Sequence, residues 1–413
     1  MSTKSIKGFA DLFSPHSLAF THMEKVARET FATFAYEELR TPIMEFTELF
    51  CRGIGTETDV VQKEMYTFPD RKERSLTLRP EATAGVIRAY IQSSLYAKES
   101  ISKLFTYGPM FRYERPQKGR MRQFHQLNCE CLGADSPYVD AEIITMLLMF
   151  LQNIGITQTS VQINSLGCSK CRPAYRDTLY NNLKSIDNAD FCEDCVRRME
   201  TNPLRVLDCK NETCKKHTED APQLAEHICP ECKEHFQTVL KLLDMSNISY
   251  VLNPRLVRGL DYYCRTTFEI VSDAVGAQSS IAGGGRYDGL VKQLGGPDIA
   301  GIGFACGMER LAMLIPDIEK ARPSFAIVSM GDEAKAMGFT LALNLRKAGL
   351  VGDQCQGESF KSQMRQAGKV NAHFALILGE DECRDKTVTI KNMDAKTQES
   401  VSINDVANYL VKQ

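Results

Sequence analysis

The sequence contains no hydrophobic run long enough to cross a bilayer. Its longest apolar stretch, from Ile143 to Leu151, includes a threonine and falls well short of the roughly 20 residues that a membrane-spanning helix needs. The N-terminal segment MSTKSIKGFADLFSPHSLAF has neither an apolar core nor a small-residue cleavage site, so we expect no secretory signal. These absences predict a cytoplasmic protein without a membrane partner.

Several common catalytic motifs are also missing. The chain lacks G-x-x-x-x-G-K-[ST], which excludes a P-loop NTPase, and it lacks G-x-S-x-G and H-E-x-x-H. The run Gly301-x-Gly303-x-x-x-Gly307 has the wrong spacing for a dinucleotide fingerprint, and no βαβ pattern precedes it. A formal net charge of -2 excludes a histone-like polyelectrolyte, although local basic patches can still bind nucleic acid.

Cysteine, by contrast, is abundant, with 15 residues in the chain. Eight of them lie close together as Cys168-x-x-Cys171, Cys192-x-x-Cys195, Cys209-x4-Cys214 and Cys229-x-x-Cys232. In a reducing compartment, paired cysteines at this spacing favour metal binding over disulfides. We therefore expect one or two structural Cys₄ zinc sites, and the alternative is a set of reduced, partly buried thiols.

Hydrophobic spacing divides the 413 residues into three regions. Residues 1–166 and 246–320 carry mixed helix and strand patterns, and the Cys-rich stretch 167–245 interrupts them as an apparent insertion. A proline-bounded linker then precedes residues 323–413, where strand and helix patterns alternate, as expected of an independent α/β domain.

Within the first region, spacing predicts helices over Ser17–Phe34, Thr83–Ser93 and Asp140–Gly155. The segment KLFTYGPMFRYERPQKGRMRQFHQLNCECLG predicts two strands around a polar loop, and GIGFACG predicts a further strand.

Four stretches carry groups suited to anion binding. Arg112 to His125 holds six basic or imidazole side chains, Lys118 among them, interleaved with aromatics, which suits a polyphosphate and a stacked base. LVRGLDYY sets Arg258 beside two tyrosines, GGGRYDGL is a glycine-rich run, and Arg310 lies in the first turn of a helix. The alternatives are a solvated hairpin tip, a turn with an Arg258–Asp261 pair, a flexible loop and a surface arginine, respectively.

Taken in order, these stretches resemble the histidyl-tRNA synthetases over nearly the whole chain. The segment ending at Pro42 is similar to class II motif 1, FRYERPQKGRMRQFHQ to motif 2 and GIGFACGMERL to motif 3, while LVRGLDYY and GGGRYDGL resemble signatures peculiar to this family. The resemblance implies an α+β fold: a class II antiparallel sheet flanked by helices, an inserted Cys-rich helical subdomain, and a C-terminal α/β anticodon-binding domain.

The resemblance also implies a reaction. Family members activate L-histidine with ATP to histidyl-adenylate, release pyrophosphate, and transfer histidine to the 3' end of tRNA(His). ATP is expected with Mg²⁺, and motif 1 implies a homodimer.

Residue roles follow from the same resemblance. The implied histidine-binding residues are Glu81, Thr83, Arg112, Gln126, Glu130, Arg258, Tyr262, Tyr263 and Tyr287. The implied ATP-binding residues are Arg112, Arg120, Arg258 and Arg310, with Arg258 and Arg112 as the catalytic pair. Arg115 and Gln117 match positions that contact the tRNA acceptor end.

Two other functions fit part of the sequence. A non-catalytic, histidine-sensing regulatory paralogue of histidine biosynthesis would keep the fold, but such relatives typically lack the anticodon-binding domain and lose the arginines. A generic nucleic-acid-binding module with a zinc fold would leave the amino-acid pocket residues unexplained. Ala82 stands where many relatives have glycine, a small change.

Overall fold

A computed structural model describes residues 3–55, 58–117, 119–275 and 280–412. It forms two compact units, Met1–Ile318 and Glu319–Gln413. Lys118 of the basic segment lies outside the described residues.

The first unit holds eleven strands within the described residues: β1 (Glu37–Glu38), β2 (Met44–Phe46), β3 (Tyr66–Pro69), β4 (Ser75–Leu78), β5 (Ser102–Phe111), β6 (Gln123–Leu132), β7 (Ser160–Ser165), β8 (Tyr250–Leu252), β9 (Cys264–Val271), β10 (Ser280–Arg286) and β11 (Gly301–Gly307). Its α-helices are α1 (His16–Ala32), α2 (Thr47–Ile54), α3 (Thr83–Gln92), α4 (Pro137–Asn153), α5 (Arg172–Lys184), α6 (Glu193–Thr201), α7 (Glu212–His217), α8 (Pro230–Met245), α9 (Leu290–Gln293) and α10 (Met308–Leu311).

Eight of these strands form one sheet in the order β1-β5-β6-β11-β10-β9-β7-β8. The interior pairs are all antiparallel, and only the outermost pairs, β1–β5 and β7–β8, are parallel. The register sets Glu130 on β6 opposite Gly303 on β11, and Glu269 on β9 opposite Gly283 on β10. In the middle of the sheet, this register therefore places each of the two acidic side chains opposite a glycine, which has no side chain.

Helices α1 and α4 pack against the sheet and bury its main hydrophobic core. Phe31 of α1 meets the rings of Phe105, Phe150 and Phe304 at steep angles, with ring-centroid distances of 5.4, 5.4 and 6.1 Å. Helix α4 is present as predicted but begins at Pro137, three residues before the predicted Asp140, because the Ser136 hydroxyl accepts from the Tyr138 amide and Pro137 occupies the first turn. The helices and the hairpin predicted from spacing are confirmed.

The glycine-rich run Gly283–Gly285 is not a loop. It lies inside β10, hydrogen-bonded to β9 on one side and β11 on the other. The flexible-loop interpretation is therefore wrong, because pairing with both neighbouring strands fixes this run in the sheet. The predicted helix after GIGFACG is also shorter than expected, since α10 ends at Leu311.

The Cys-rich stretch is helical, from α5 to α8, and it has a hydrophobic cluster of its own. Tyr175, Leu179 and Leu183 of α5 are fully buried there. The same cluster includes Val257 and Tyr263 from the LVRGLDYY segment. It also includes Tyr287 of GGGRYDGL, so the insertion shares a core with both family signatures.

The second unit contains β12 (Phe325–Ser329), α11 (Asp332–Lys347), β13 (Gly352–Gln354), α12 (Phe360–Lys369), β14 (Phe374–Leu378), α13 (Glu380–Asp385), β15 (Thr387–Asn392), β16 (Gln398–Ser402) and α14 (Val406–Val411). Its sheet order is β13-β12-β14-β15-β16, parallel through β14 and antiparallel beyond it. Sequence spacing missed the edge strands β13 and β16 and the short α13, because short, exposed elements carry little hydrophobic periodicity.

None of the described helices combines the length and the apolar character that crossing a bilayer requires.

Candidate active site

Three arginines that are far apart in the sequence lie around one group of acidic side chains. Arg258 Nη1 donates to Glu269 Oε1 at 2.6 Å. Arg112 forms an ion pair with Glu114, and the charges of Glu114 and Glu269 both act on Arg310. Burial, together with the nearby charges of Arg120 and Arg112, lowers the pKa of Arg310. The charges of Arg112 and Arg120 therefore repel that of Arg310, which makes the junction of these groups an attractive place for an anion.

The backbone holds two of these three cations in place. Arg112 follows the last residue of β5 rather than lying within a strand, and its Nε donates to the Pro80 carbonyl at 2.9 Å. Arg310 Nη1 donates to the Ser280 carbonyl at 2.6 Å. The Nε of Arg258 is buried and has no hydrogen-bond partner within the described part of the chain. A buried donor of this kind is costly unless a ligand satisfies it.

The surface-arginine interpretation of Arg310 is wrong, and so is the predicted pairing of Arg258 with Asp261, although residues 259–262 do form a turn. Arg310 is partly buried among other charges. Arg258 pairs with Glu269, and Asp261 instead accepts from Asn202 at 2.9 Å.

A polar pocket lies next to this cluster. Glu81 accepts from the amides of Thr83 and Ala84 at 2.7 and 2.9 Å, which caps the start of α3. The Thr83 hydroxyl donates to Glu130 Oε1 at 2.7 Å, and the Tyr287 hydroxyl donates to the other oxygen of Glu130. Burial raises the pKa of Glu130 to about 8, and burial also raises the pKa of Glu81.

Aromatic rings close the pocket. Tyr262 and Tyr263 lie 4.6 Å apart between ring centroids, and Tyr262 meets Tyr287 edge-on at 5.7 Å. The Arg258 guanidinium lies 5.4 Å from the centre of the Tyr263 ring, which joins the pocket to the arginine cluster. Gln126 Oε1 is buried without a partner among the described residues, so this wall offers a free acceptor to a ligand.

Two glycines make room for the charged side chains. A Cβ at Gly283 would lie 2.5 Å from Arg258 Nη1, and a Cβ at Gly303 would overlap Glu130 Oε2. The absence of a side chain at Gly283 of GGGRYDGL and at Gly303 of motif 3 therefore leaves space for the groups that would contact a ligand.

The polar loop between β5 and β6 carries the remaining predicted residues at its tip. Gln117 and Arg120 form a two-way backbone bridge at 3.0 and 2.9 Å, and Arg120 also pairs with Glu114 at 2.9 Å. Arg115 and Gln117 are exposed, so they project from the site instead of lining it.

The eight insertion cysteines form two separate groups of four. The first cysteine centre comprises Cys168, Cys171, Cys229 and Cys232, and the second comprises Cys192, Cys195, Cys209 and Cys214. Within each centre all sulfur atoms lie within 4.8 Å of one another.

Sequence reasoning missed two sets of residues that shape the site. Glu269 and Glu114 neutralise the arginines, but single acids in strands and hairpins carry no recognisable signal. Arg286 of GGGRYDGL is fully buried and donates to Asp140 at 2.7 Å, and Asp140 also meets His235 at 2.8 Å. Its role is to hold β10 to α4 and α8, and only tertiary contacts reveal it.

Comparisons with known proteins find relatives that match nearly the whole chain. The family model for histidyl-tRNA synthetase matches residues 8–311, and that for the anticodon binding domain matches residues 324–413. A histidine–tRNA ligase from Nitratidesulfovibrio vulgaris is 61% identical over 98% of both chains, and one from Oleidesulfovibrio alaskensis is 62% identical over 97% of both. The apo histidyl-tRNA synthetase of S. aureus superposes with a TM-score of 0.83 at 34% identity, covering 99% of this chain and 100% of that one.

These matches span both regions of the chain, including the C-terminal region that regulatory paralogues typically lack. They favour the catalytic interpretation and give the regulatory one no support. The chain therefore belongs to the histidyl-tRNA synthetase family.

Proposed function

We propose that this chain is a histidine–tRNA ligase that joins the histidine carboxylate to the α-phosphate of ATP, releases pyrophosphate, and passes the histidyl group to the 3'-terminal ribose of tRNA(His). The observation that carries this proposal is the junction of Arg112, Arg258 and Arg310 beside a buried carboxyl, hydroxyl and phenol pocket. The reaction needs positive charge at a crowded phosphorus next to a site for an imidazole.

The pocket supplies the amino-acid contacts. Glu81 and Thr83 hold the α-amino group, Glu130 with Tyr263 and Tyr287 surrounds the imidazole, and Gln126 and Tyr262 complete the walls. A site whose buried polar groups must all be satisfied rejects analogues lacking the matching donors, by roughly 10⁴–10⁵-fold in favourable cases. Histidine specificity then rests on the cost of burying this polar pocket against a side chain that cannot hydrogen-bond to it.

The arginines supply the electrostatics. Arg258 and Arg112 contact the α-phosphate and the carboxylate as negative charge gathers there, while Arg310 and Arg120 hold the terminal phosphates. Guanidinium groups stay charged at any working pH and offer a planar fork of donors. Positioning and charge stabilisation account for most of the rate in phosphoryl-type transfer, because the reaction leaves the protein little covalent chemistry to perform. ATP enters with Mg²⁺ as its counter-ion.

Histidine-dependent exchange of pyrophosphate into ATP tests this function. Arg258→Ala removes a donor aimed at the reacting phosphate, and we expect kcat for exchange to fall about 10²–10³-fold. Arg176→Ala, an exposed arginine of the insertion that donates to the Thr201 carbonyl, is the matched control. Wild-type protein without histidine-dependent exchange would refute the function, and full exchange in Arg258→Ala would refute the assigned role.

We also propose that each cysteine centre holds one structural zinc ion. Four thiolates around zinc at about 2.3 Å suit sulfurs a little under 4 Å apart, and Cys168–Cys171, Cys168–Cys229 and Cys192–Cys209 lie at 3.5, 4.0 and 3.8 Å. Amides of Cys229 and Asn211 donate to sulfurs of the two centres, an arrangement that stabilises thiolate ligands.

Metal analysis tests the centres separately. We expect two zinc ions per wild-type chain and one in either Cys171→Ser or Cys209→Ser. Cys355→Ser, at a buried cysteine of the second unit, is the control and keeps both ions. If gently prepared wild-type protein contained no zinc, the zinc proposal would be refuted, and the eight cysteines would be reduced thiols.

The remaining assignments concern partners and location. Arg115 and Gln117 at the exposed loop tip contact the tRNA acceptor end, and residues 323–413 bind the anticodon. The catalytic domain comprises residues 1–166 and 246–320, and residues 167–245 are its insertion.

Met44, Phe46 and Phe68 are 43, 52 and 41% exposed on one small sheet, which supports a homodimer that covers them. All fifteen cysteines lack disulfides, as in the cytoplasm.

A further inference from the structure

We infer that the second cysteine centre positions Arg258, through the contact between the Arg255 guanidinium and Thr218. This rests on the proposed function, in which Arg258 acts on the phosphate, and it assigns the insertion a part in adenylate formation. Arg255 and Thr218 lie outside every motif that carried the family resemblance.

The contact is a fork of three hydrogen bonds. Arg255 donates from Nη1 to the Thr218 carbonyl at 2.6 Å and from Nη2 to the Thr218 hydroxyl at 2.7 Å and the Leu207 carbonyl at 3.4 Å. Thr218 is 1% exposed, and its hydroxyl and amide bond back to the Cys214 carbonyl at 2.9 and 3.2 Å. One guanidinium therefore ties together the segments on both sides of the centre.

The second cysteine centre fixes the positions of the groups that accept hydrogen bonds from Arg255. The segments around it are short, with α6 spanning Glu193–Thr201 and α7 spanning Glu212–His217. Helices of this length are marginal without tertiary support. Cross-linking through four cysteines fixes Leu207, two residues before Cys209, and Thr218, four residues after Cys214, in one arrangement.

On its other side, Arg255 starts the segment that leads to Arg258. The turn before it is bound to the catalytic sheet, because the Asn164 side chain on β7 donates to the carbonyls of Pro254 and Leu256 at 3.3 and 3.1 Å. Residues 256–263 then run without regular helix or strand. A segment with few internal hydrogen bonds depends on its end anchors for its position.

The insertion also holds the far end of the same segment. Asn202, the residue that follows α6, donates to Asp261 Oδ1 at 2.9 Å. Helix α6 begins directly after Cys192 and carries Cys195. The second cysteine centre therefore braces the Arg258 segment on both sides, at Arg255 and at Asp261.

Steady-state kinetics of histidine-dependent pyrophosphate exchange separates positioning from simple structural support. Arg255→Met and Thr218→Val should each lower kcat, by about 10–100-fold for the arginine, because an error of about 1 Å in a positioned group costs on the order of 10²-fold. KM for histidine and ATP should change less than kcat. Arg176→Met and Thr178→Val, at exposed residues that donate to the Thr201 and Ala174 carbonyls within the insertion, are the matched controls.

A double-mutant cycle gives the decisive readout. If Arg255 acts through Arg258, Arg255→Met should cost little further kcat in an Arg258→Lys background, since the group it positions is already changed. Equal losses in both backgrounds, a change in KM alone, or activity equal to the controls would overturn the inference. Zinc content and melting temperature accompany each variant, and Thr218→Val provides the test if Arg255→Met fails to fold.

The same measurements distinguish failure of this inference from failure of the underlying function. A wild-type protein without histidine-dependent exchange removes the function itself. If the wild type is active and the Arg255 variants behave like the controls, only the positioning role is refuted. If the wild type is active but contains no zinc, the metal has no part in that positioning.

Discussion

Gly283 offers a test in which a single methyl group moves a catalytic side chain while leaving the fold intact. It lies in β10, opposite Glu269, and the Arg258 guanidinium crosses directly over it. A Cβ built there would be 2.5 Å from Nη1 and 3.0 Å from both Cζ and Nη2 of Arg258. Ordinary contacts are about 3.5–4.0 Å, so Gly283→Ala must displace the guanidinium by about 1 Å.

The magnitude follows from that displacement. The 2.6 Å bond from Arg258 to Glu269 would lengthen or break, and the guanidinium would leave its position at the phosphate. An error of about 1 Å at a positioned group costs on the order of 10²-fold in rate, or about 2.7 kcal/mol of transition-state stabilisation. Stability should change by no more than about 1 kcal/mol, because the far end of a flexible side chain yields and alanine is less entropically costly than glycine.

Histidine-dependent pyrophosphate exchange measures the first quantity and urea denaturation the second. Gly289→Ala is the matched control in the same signature, because a Cβ there meets nothing within 4 Å and its φ of -90° suits any residue. We expect the control to keep wild-type kcat. A Gly283→Ala protein with kcat within threefold of wild type would refute the placement of Arg258 over this glycine.

Two further predictions concern buried charges. Arg286→Met should destabilise the protein by about 3–5 kcal/mol in urea denaturation, because it leaves the fully buried Asp140 without its cation. Lys292→Met, at an exposed ion pair, is the control and should cost less than about 1 kcal/mol. Similar losses of stability in the two variants would contradict the structural role of Arg286. The raised pKa of Glu130, about 8 because of burial, means that the folded chain binds a proton that the unfolded chain has released, so stability falls as pH rises from about 4.5 to 8 and levels off above it. Glu130→Gln should flatten this decline in melting temperature relative to wild type, and an unchanged slope would show that Glu130 ionises normally.

The sequence by itself determined the family and most of the regular structure. The order of five motifs indicates a class II synthetase, and periodicity locates α1, α3, α4, the β5–β6 hairpin and β11 because each has a strong hydrophobic pattern over at least one turn or several strand residues. It also determined that the eight insertion cysteines form a set, since their paired spacing is a local property.

Tertiary structure alone decided how these residues combine. Pairing of the cysteines into Cys168/Cys171/Cys229/Cys232 and Cys192/Cys195/Cys209/Cys214 depends on how α5, α6 and α8 pack, which spacing cannot specify. The register of β9 against β10 places Glu269 opposite Gly283. Only this register lets Arg258 bind Glu269 while its guanidinium packs against Gly283. Strand register and helix packing arise from contacts between residues distant in the chain, so a local pattern cannot contain them.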